Sequence, residues 1–171
     1  MDMQETLAVL RNQGIPFELF EHPAVMNMSE VDKLDLPYPE ADAKNLFIRD
    51  ARGHYCLISV PGRVRVDLKA FRRAEGLGSL SFVSEQEMQD LLALTPGSVT
   101  PLGLLSDNAG SVVLYLDEAF REGWIGVHPN DNRATVFLRT EDLRWLIEAH
   151  GNRVLYRRFS PEQERDTGGT E

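Results

Sequence analysis

The sequence predicts an α+β domain built on a mixed β-sheet. Three observations lead there. Strand-like and helix-like segments are interspersed, and not every strand is followed by a crossover helix, which disfavours a doubly wound parallel sheet. Two apolar runs, KNLFIRD and HYCLISV, are separated only by Ala51-Arg52-Gly53, the spacing of a β-hairpin. No internal repeat and no long linker divides the 171 residues, a length at which one domain buries a sizeable core.

Residues 4–13 carry apolar side chains at helical spacing and stop at Gly14, so a first helix is expected there. PFELFEH alternates and reads as a strand. Ser29-Glu30-Val31-Asp32 reads as a helix start, with Ser29 as N-cap and an acid three residues on. LDLPYPEAD, with two prolines close together, is a loop. After the hairpin, Asp67 caps a short helix over 68–75 that Gly76 and Gly78 end. Ser84-Glu85-Gln86-Glu87 is a capping box whose helix is expected to run to about Leu94. TPGSVTPLGL is a loop, SVVLYLD a strand, GWIGVHPNDN a second loop and ATVFLR another strand. Thr140 is expected to cap a helix ending near Gly151, and RVLYRRF is a last strand. Residues 1–159 are thus read as one domain, and the polar tail SPEQERDTGGTE, 160–171, as disordered.

No apolar run approaches the roughly 20 residues needed to span a bilayer, so no membrane partner is expected. The start MDMQETLAVL lacks the basic and apolar regions of a signal peptide. Cys56 is the single cysteine and lies in an apolar run, where it reads as a buried small hydrophobe. Together these features point to the cytoplasm. The net charge of −9 argues against nucleic acid when taken alone, but the charge is unevenly spread. Residues 1–43 hold two basic and nine acidic side chains, and 76–171 hold eight and fifteen. Residues 44–75 hold eight basic and three acidic ones, a local excess able to hold phosphates while the rest of the surface repels other polyanions. A solvated basic face without a partner is the plainer alternative.

Phosphate-binding loops of the GxGxxG or GxxxxGK[ST] type are missing, as are CxxC, HExxH and GxSxG. His22, His54, His128 and His150 are far apart in sequence, so no metal site is expected. Three segments have chemical potential. Lys44, one of three lysines beside fifteen arginines, stands next to Asn45 at the start of a strand. Its compact ammonium suits a single phosphate or carbonyl oxygen, and Asn45 offers both a donor and an acceptor. Pro96-Gly97-Ser98-Val99-Thr100-Pro101 is a tight loop whose N–H groups are able to point at an oxyanion. Gly126-Val127-His128-Pro129-Asn130 sets a histidine beside a rigid proline and Asx side chains. Residue types alone favour an exposed lysine and two ordinary turns.

Taken in order, KNLFIRD, VDLK, LSFVSEQEM, PGSVTPLGL and GVHPNDNRATVFL resemble the YbaK / prolyl-tRNA synthetase editing-domain superfamily, in particular its free-standing bacterial prolyl-tRNA editing branch that clears alanine. The likeness covers roughly residues 5–159. It implies a curved mixed central sheet flanked by helices, and a deacylase that hydrolyses the ester of mischarged tRNA without a metal or organic cofactor. The tRNA acceptor stem and 3′ end would be the partner, with a link to prolyl-tRNA synthetase. The resemblance puts catalytic roles on Lys44, Gly97, Ser98, Val99 and Thr100, and substrate contacts on Asn45, Pro101, Gly126, His128, Pro129 and Asn130. Ala-tRNA(Pro) is the implied substrate. Cys-tRNA(Pro), another small-amino-acid tRNA, or a non-catalytic tRNA- or synthetase-binding module are the alternatives.

Overall fold

The computed structural model describes residues 1–24, 29 and 34–159. The helix start expected at Ser29 and the tail 160–171 lie largely or wholly outside the described residues. The rest follows local sequence signals closely. α1, Met3–Asn12, opens on a capping box between Asp2 and Glu5 and buries Thr6, Leu7 and Leu10. α2, Leu68–Glu75, is capped by Asp67 and closed by Gly76 at φ +64°. α3, Glu85–Leu92, has the expected Ser84–Glu87 box but stops two residues short of Leu94, because Ala93 turns left-handed.

α4 runs over Thr140–His150. Here the cap was expected at Thr140, but Thr140 is already helical and Arg139 is the cap residue, without a side-chain bond. The reason is burial: Thr140 Oγ1 is sealed inside without a partner and so caps nothing.

Among the described residues, eight strands form two sheets. β1, Phe17–Glu21, pairs antiparallel with β7, Ala134–Arg139, which pairs with β6, Trp124–Val127. β6 occupies what reads as loop in the sequence. Gly126 obscures the strand pattern there. A Cβ on Gly126 would come within 2.5 Å of the Phe137 ring, so the glycine is a packing requirement of that strand. The second sheet has the order β4-β2-β3-β5-β8. β2, Ala43–Asp50, and β3, Tyr55–Pro61, form the expected hairpin. β5, Val112–Asp117, joins β3 in parallel, and β8, Val154–Arg157, joins β5 in parallel. β4, Leu80–Phe82, is a three-residue edge strand antiparallel to β2, too short to read from pattern. The architecture is therefore α+β with a mixed sheet, and the single central sheet expected is divided in two. An isolated parallel bridge between Asp42 and Gly126 joins them.

The two faces of the larger sheet bury different things. Phe47, Leu57, Leu114 and Leu116 meet α1, α4 and the smaller sheet in the main core. Ile48, Cys56, Ile58, Val60 and Tyr115 pack with Phe71 of α2. Because side chains alternate along a strand, neighbours in β2 belong to different cores.

Candidate active site

The seam between the sheets lies where β2 begins, and most of the sequence-predicted residues gather around it. Asn45 faces the main core side. Its carbonyl accepts from Ser59 Oγ at 2.5 Å across the β2–β3 ladder, and its Nδ2 donates to the Val99 carbonyl at 3.2 Å. Both ends of the amide are engaged, so Asn45 fastens the 97–101 loop to the sheet. Lys44 projects to the opposite face. Its half-buried ammonium donates to the Val64 carbonyl at 2.6 Å. Burial, with the Arg65 charge beside it, lowers its pKa. Strand alternation thus sets Lys44 and Asn45, neighbours in sequence, on two sides of the same strand.

The loop 95–100 is shaped by Gly97 at φ +86° and by a Ser98 N–H bond to the Thr95 carbonyl. That bond commits one of the N–H groups expected to face an oxyanion. The Gly97, Val99 and Thr100 N–H groups make no backbone hydrogen bond among the described residues. Thr100 is fully buried. Its hydroxyl donates to the His128 carbonyl at 2.6 Å and accepts from Leu102 N–H, while Pro101 opens a 3₁₀ turn to Ser106. The loop is pinned on one side by Asn45 and on the other by the segment after β6.

His128 follows β6. Its Nδ1 lies 2.9 Å from the Ala134 carbonyl, and since a carbonyl only accepts, that nitrogen carries the hydrogen and Nε2 is left as an acceptor. Burial lowers its pKa, only partly opposed by that hydrogen bond, which keeps the ring neutral. Pro129 is buried, and Asn130 adopts φ +62°. Asn130 turns inward: Nδ2 donates to Thr6 Oγ1 of α1 at 2.7 Å, and Oδ1 is buried without a partner. Asn130, on which the resemblance puts a substrate contact, ties the segment to α1, and Gly126 makes room for Phe137.

Sequence reasoning missed several supports. Ser59 was detectable, since the hairpin register sets it opposite Asn45 as a second polar residue on an apolar face. His22, with Nε2 at 2.9 Å from Thr135 Oγ1 and its ring 6.2 Å from that of His128, gave no local signal. Asp42, 8% exposed, was read only as loop acidity. Burial pushes its carboxyl up to about 7.

The basic segment is only partly available. Arg49 is bound to Glu87 at 2.7 Å, and Arg52 donates to the Gly76 carbonyl. Arg63, Arg65, Lys69 and Arg73 are exposed on the loop and helix that follow β3. No group of three His, Cys, Asp or Glu among the described residues is placed to hold a metal. No helix among them is long and apolar enough to cross a membrane.

Comparison with known proteins bears on this arrangement. The model of the aminoacyl-tRNA editing domain matches residues 22–146. The chain is 39% identical over 158 residues to the prolyl-tRNA editing protein ProX of Acetoanaerobium sticklandii, covering 89% of this chain and 96% of that one. It is 32% identical over 157 residues to prolyl-tRNA synthetase associated domain-containing protein 1 of Mus musculus, covering 88% and 90%. Among solved structures, a candidate trans-editing enzyme for prolyl tRNA synthetase superposes with a TM-score of 0.67 at 21% identity, over 93% of this chain and 96% of that one, and so shares the fold.

Proposed function

The chain belongs to the aminoacyl-tRNA editing domain family and is an aminoacyl-tRNA deacylase; from that premise we propose that it clears alanine from mischarged tRNA(Pro) in trans, in the cytoplasm, alongside prolyl-tRNA synthetase. The observation that carries the reading is the pinned loop. Asn45 holds the Val99 carbonyl and Thr100 holds the His128 carbonyl, and between these anchors the N–H groups of Gly97, Val99 and Thr100 have no backbone partners among the described residues. A rigid set of unpaired donors is what a developing ester oxyanion requires.

The chemistry follows from that placement. The ester carbonyl oxygen lies against the loop donors. Water attacks the carbonyl carbon, assisted by the free 2′-hydroxyl of the terminal ribose, and the tetrahedral intermediate expels the 3′-oxygen. That oxygen takes a proton, and the products are alanine and intact tRNA. No protein nucleophile is used. Lys44 exchanges the Val64 carbonyl for a phosphate of the 3′ end, a stronger, charge-assisted partner. Arg63, Arg65, Lys69 and Arg73 follow the acceptor-stem backbone. Neutral His128 and Pro129 bound the amino acid pocket.

Selection by size explains why such an enzyme is needed. A synthetase pocket shaped for proline gains only about 1–3 kcal/mol against a substrate lacking a methylene, so alanine slips through, and a second pocket too small for proline removes it. Deacylation of Ala-, Pro- and Cys-tRNA(Pro) and of Ala-tRNA(Ala), by wild type and Lys44→Ala, tests this. Rapid loss from Ala-tRNA(Pro) alone, abolished in the variant, is expected. Clearance of cysteine instead would move the pocket assignment. No turnover on any substrate would overturn the reading in favour of a binding module.

A further inference from the structure

Both tryptophans reach the surface, and their surroundings differ. Trp145, 53% exposed, lies among Val9, Leu105 and Leu146 between α1 and α4, in a groove with no acid in its lining. Trp124, 42% exposed, borders a cavity of about 390 Å³ whose other walls include Glu18 of β1, Tyr38 and Glu40 before β2, and Phe120 after β5. This lining is aromatic and acidic at once. Tyr38, 37% exposed, is held edge-on against Phe137 with ring centroids 5.2 Å apart. Its hydroxyl is directed at Glu18, which raises the tyrosine pKa as an acceptor and as a charge. Neither Glu18 nor Glu40 is in an ion pair among the described residues, and no Lys or Arg among them lines the cavity. Arg139, opposite Trp124 in register, lies outside that lining with its guanidinium 6.0 Å from the indole, at the limit of a cation–π contact. Both acids belong to residues 1–43, where nine acidic side chains stand against two basic ones.

We propose that this cavity is a docking site for an arginine side chain of a partner protein, filled while tRNA occupies the basic segment. The inference goes beyond the deacylase reading and does not depend on it. None of the residues given a part in deacylation borders the cavity. Trp124 stands at the end of β6 away from His128, about 13 Å along the strand. The chemistry of the walls selects the occupant. Two unpaired carboxylates repel the phosphates of RNA. An apolar segment would take them out of water with nothing to pair with, at a cost. A guanidinium meets both needs of the lining: it is weakly hydrated, stacks on aromatic rings and pairs with carboxylates through its planar fork. Trp, Tyr and Arg are also the side chains that carry most binding energy where proteins meet.

The test follows the two indole N–H signals by NMR while acetyl-Ala-Arg-Ala-amide is added. The Trp124 signal is expected to move to saturation and the Trp145 signal, in its uncharged groove, to stay. The citrulline peptide, equal in shape but without charge, is expected to move neither. Glu18→Gln/Glu40→Gln should weaken binding about 10-fold or more, as the loss of hydrogen bonds to a charged group does. Its unchanged Trp145 signal would report an intact fold. A Trp124 signal that stays, that moves equally with citrulline, or that responds equally in the variant would overturn the proposal. A lysine peptide that bound as tightly would overturn the choice of arginine. Uncharged tRNA(Pro) should leave the bound peptide in place; displacement would give the cavity to the substrate instead. Sedimentation equilibrium should show a monomer. A dimer dissolved by the same two substitutions would give the cavity to a second copy of the chain and refute a separate partner.

Discussion

Asp42 and Asp50 bracket β2, both are buried, and their surroundings differ completely. Asp50 is fully enclosed and accepts from the N–H groups of Arg52, His54 and Gly78 and from His54 Nδ1, at 2.8 to 3.0 Å. Burial alone would raise its pKa. The bonds from His54 and Gly78 outweigh burial and hold the carboxyl far below its usual range. Among the described residues Asp42 has no such donors, and burial raises its carboxyl to about 7. Asp50 closes the hairpin turn onto the end of α2, so its charge is used up inside the fold. Asp42 keeps an unpaired carboxyl at the seam. Burial of an acid is therefore no guide to its role until its donors are counted.

Three substitutions would break or sharpen that contrast. Asp50→Ala strands several donors at once and is expected to lower Tm by about 10 °C or more, read by thermal unfolding. A small shift would mean that water replaces the carboxylate and that the contrast is overstated.

Asp42→Asn should act in the opposite direction and only at higher pH. The folded pKa of Asp42, about 7, lies above its unfolded value of 3.8, so the protein holds this proton in a range where the unfolded chain has released it. Its contribution to stability is complete below about pH 4, falls as pH rises towards 7, and is then lost. The difference amounts to at most about 4 kcal/mol at roughly 1.4 kcal/mol per unit. Urea unfolding at pH 4 to 8 should therefore show a gap opening between wild type and variant, with the variant the more stable above pH 7. Parallel curves would mean that Asp42 is solvated.

The smallest effect is expected from His54→Ala. This side chain is 58% exposed and supplies one of the donors to Asp50. Its loss should cost under about 1 kcal/mol in the same urea assay. A larger cost would make the pair, and not the backbone N–H groups, the main support of Asp50.

Much of the fold was legible because its signals are local. Capping residues at Ser84 and Asp67, and apolar runs on either side of Ala51-Arg52-Gly53, place helices and a hairpin without tertiary knowledge. β6 was not legible, since the glycine that breaks its pattern answers to Phe137, a residue of the neighbouring strand. The candidate site divides the same way. Motif order located Lys44, the 97–101 loop and His128. The inward turn of Asn130 and the separation of Lys44 from Asn45 depend on which core lies beneath each face. Asp42 was invisible because isolation is a property of surroundings, and EAD reads the same whether its last acid is paired or not.

The anchors of the 97–101 loop have a consequence for how the protein comes into being. Asn45 reaches Val99 across 54 residues, Thr100 reaches His128 across 28, and Asn130 reaches Thr6 across 124. His128 in turn takes its orientation from Ala134. A ribosome that has delivered every residue up to Pro101 has made the loop but none of the structure that fixes its far side. Activity should therefore switch on late and all at once during synthesis, when β7 enters the smaller sheet. A deacylase so constructed is expected to strip no amino acid from tRNA until that strand is in place.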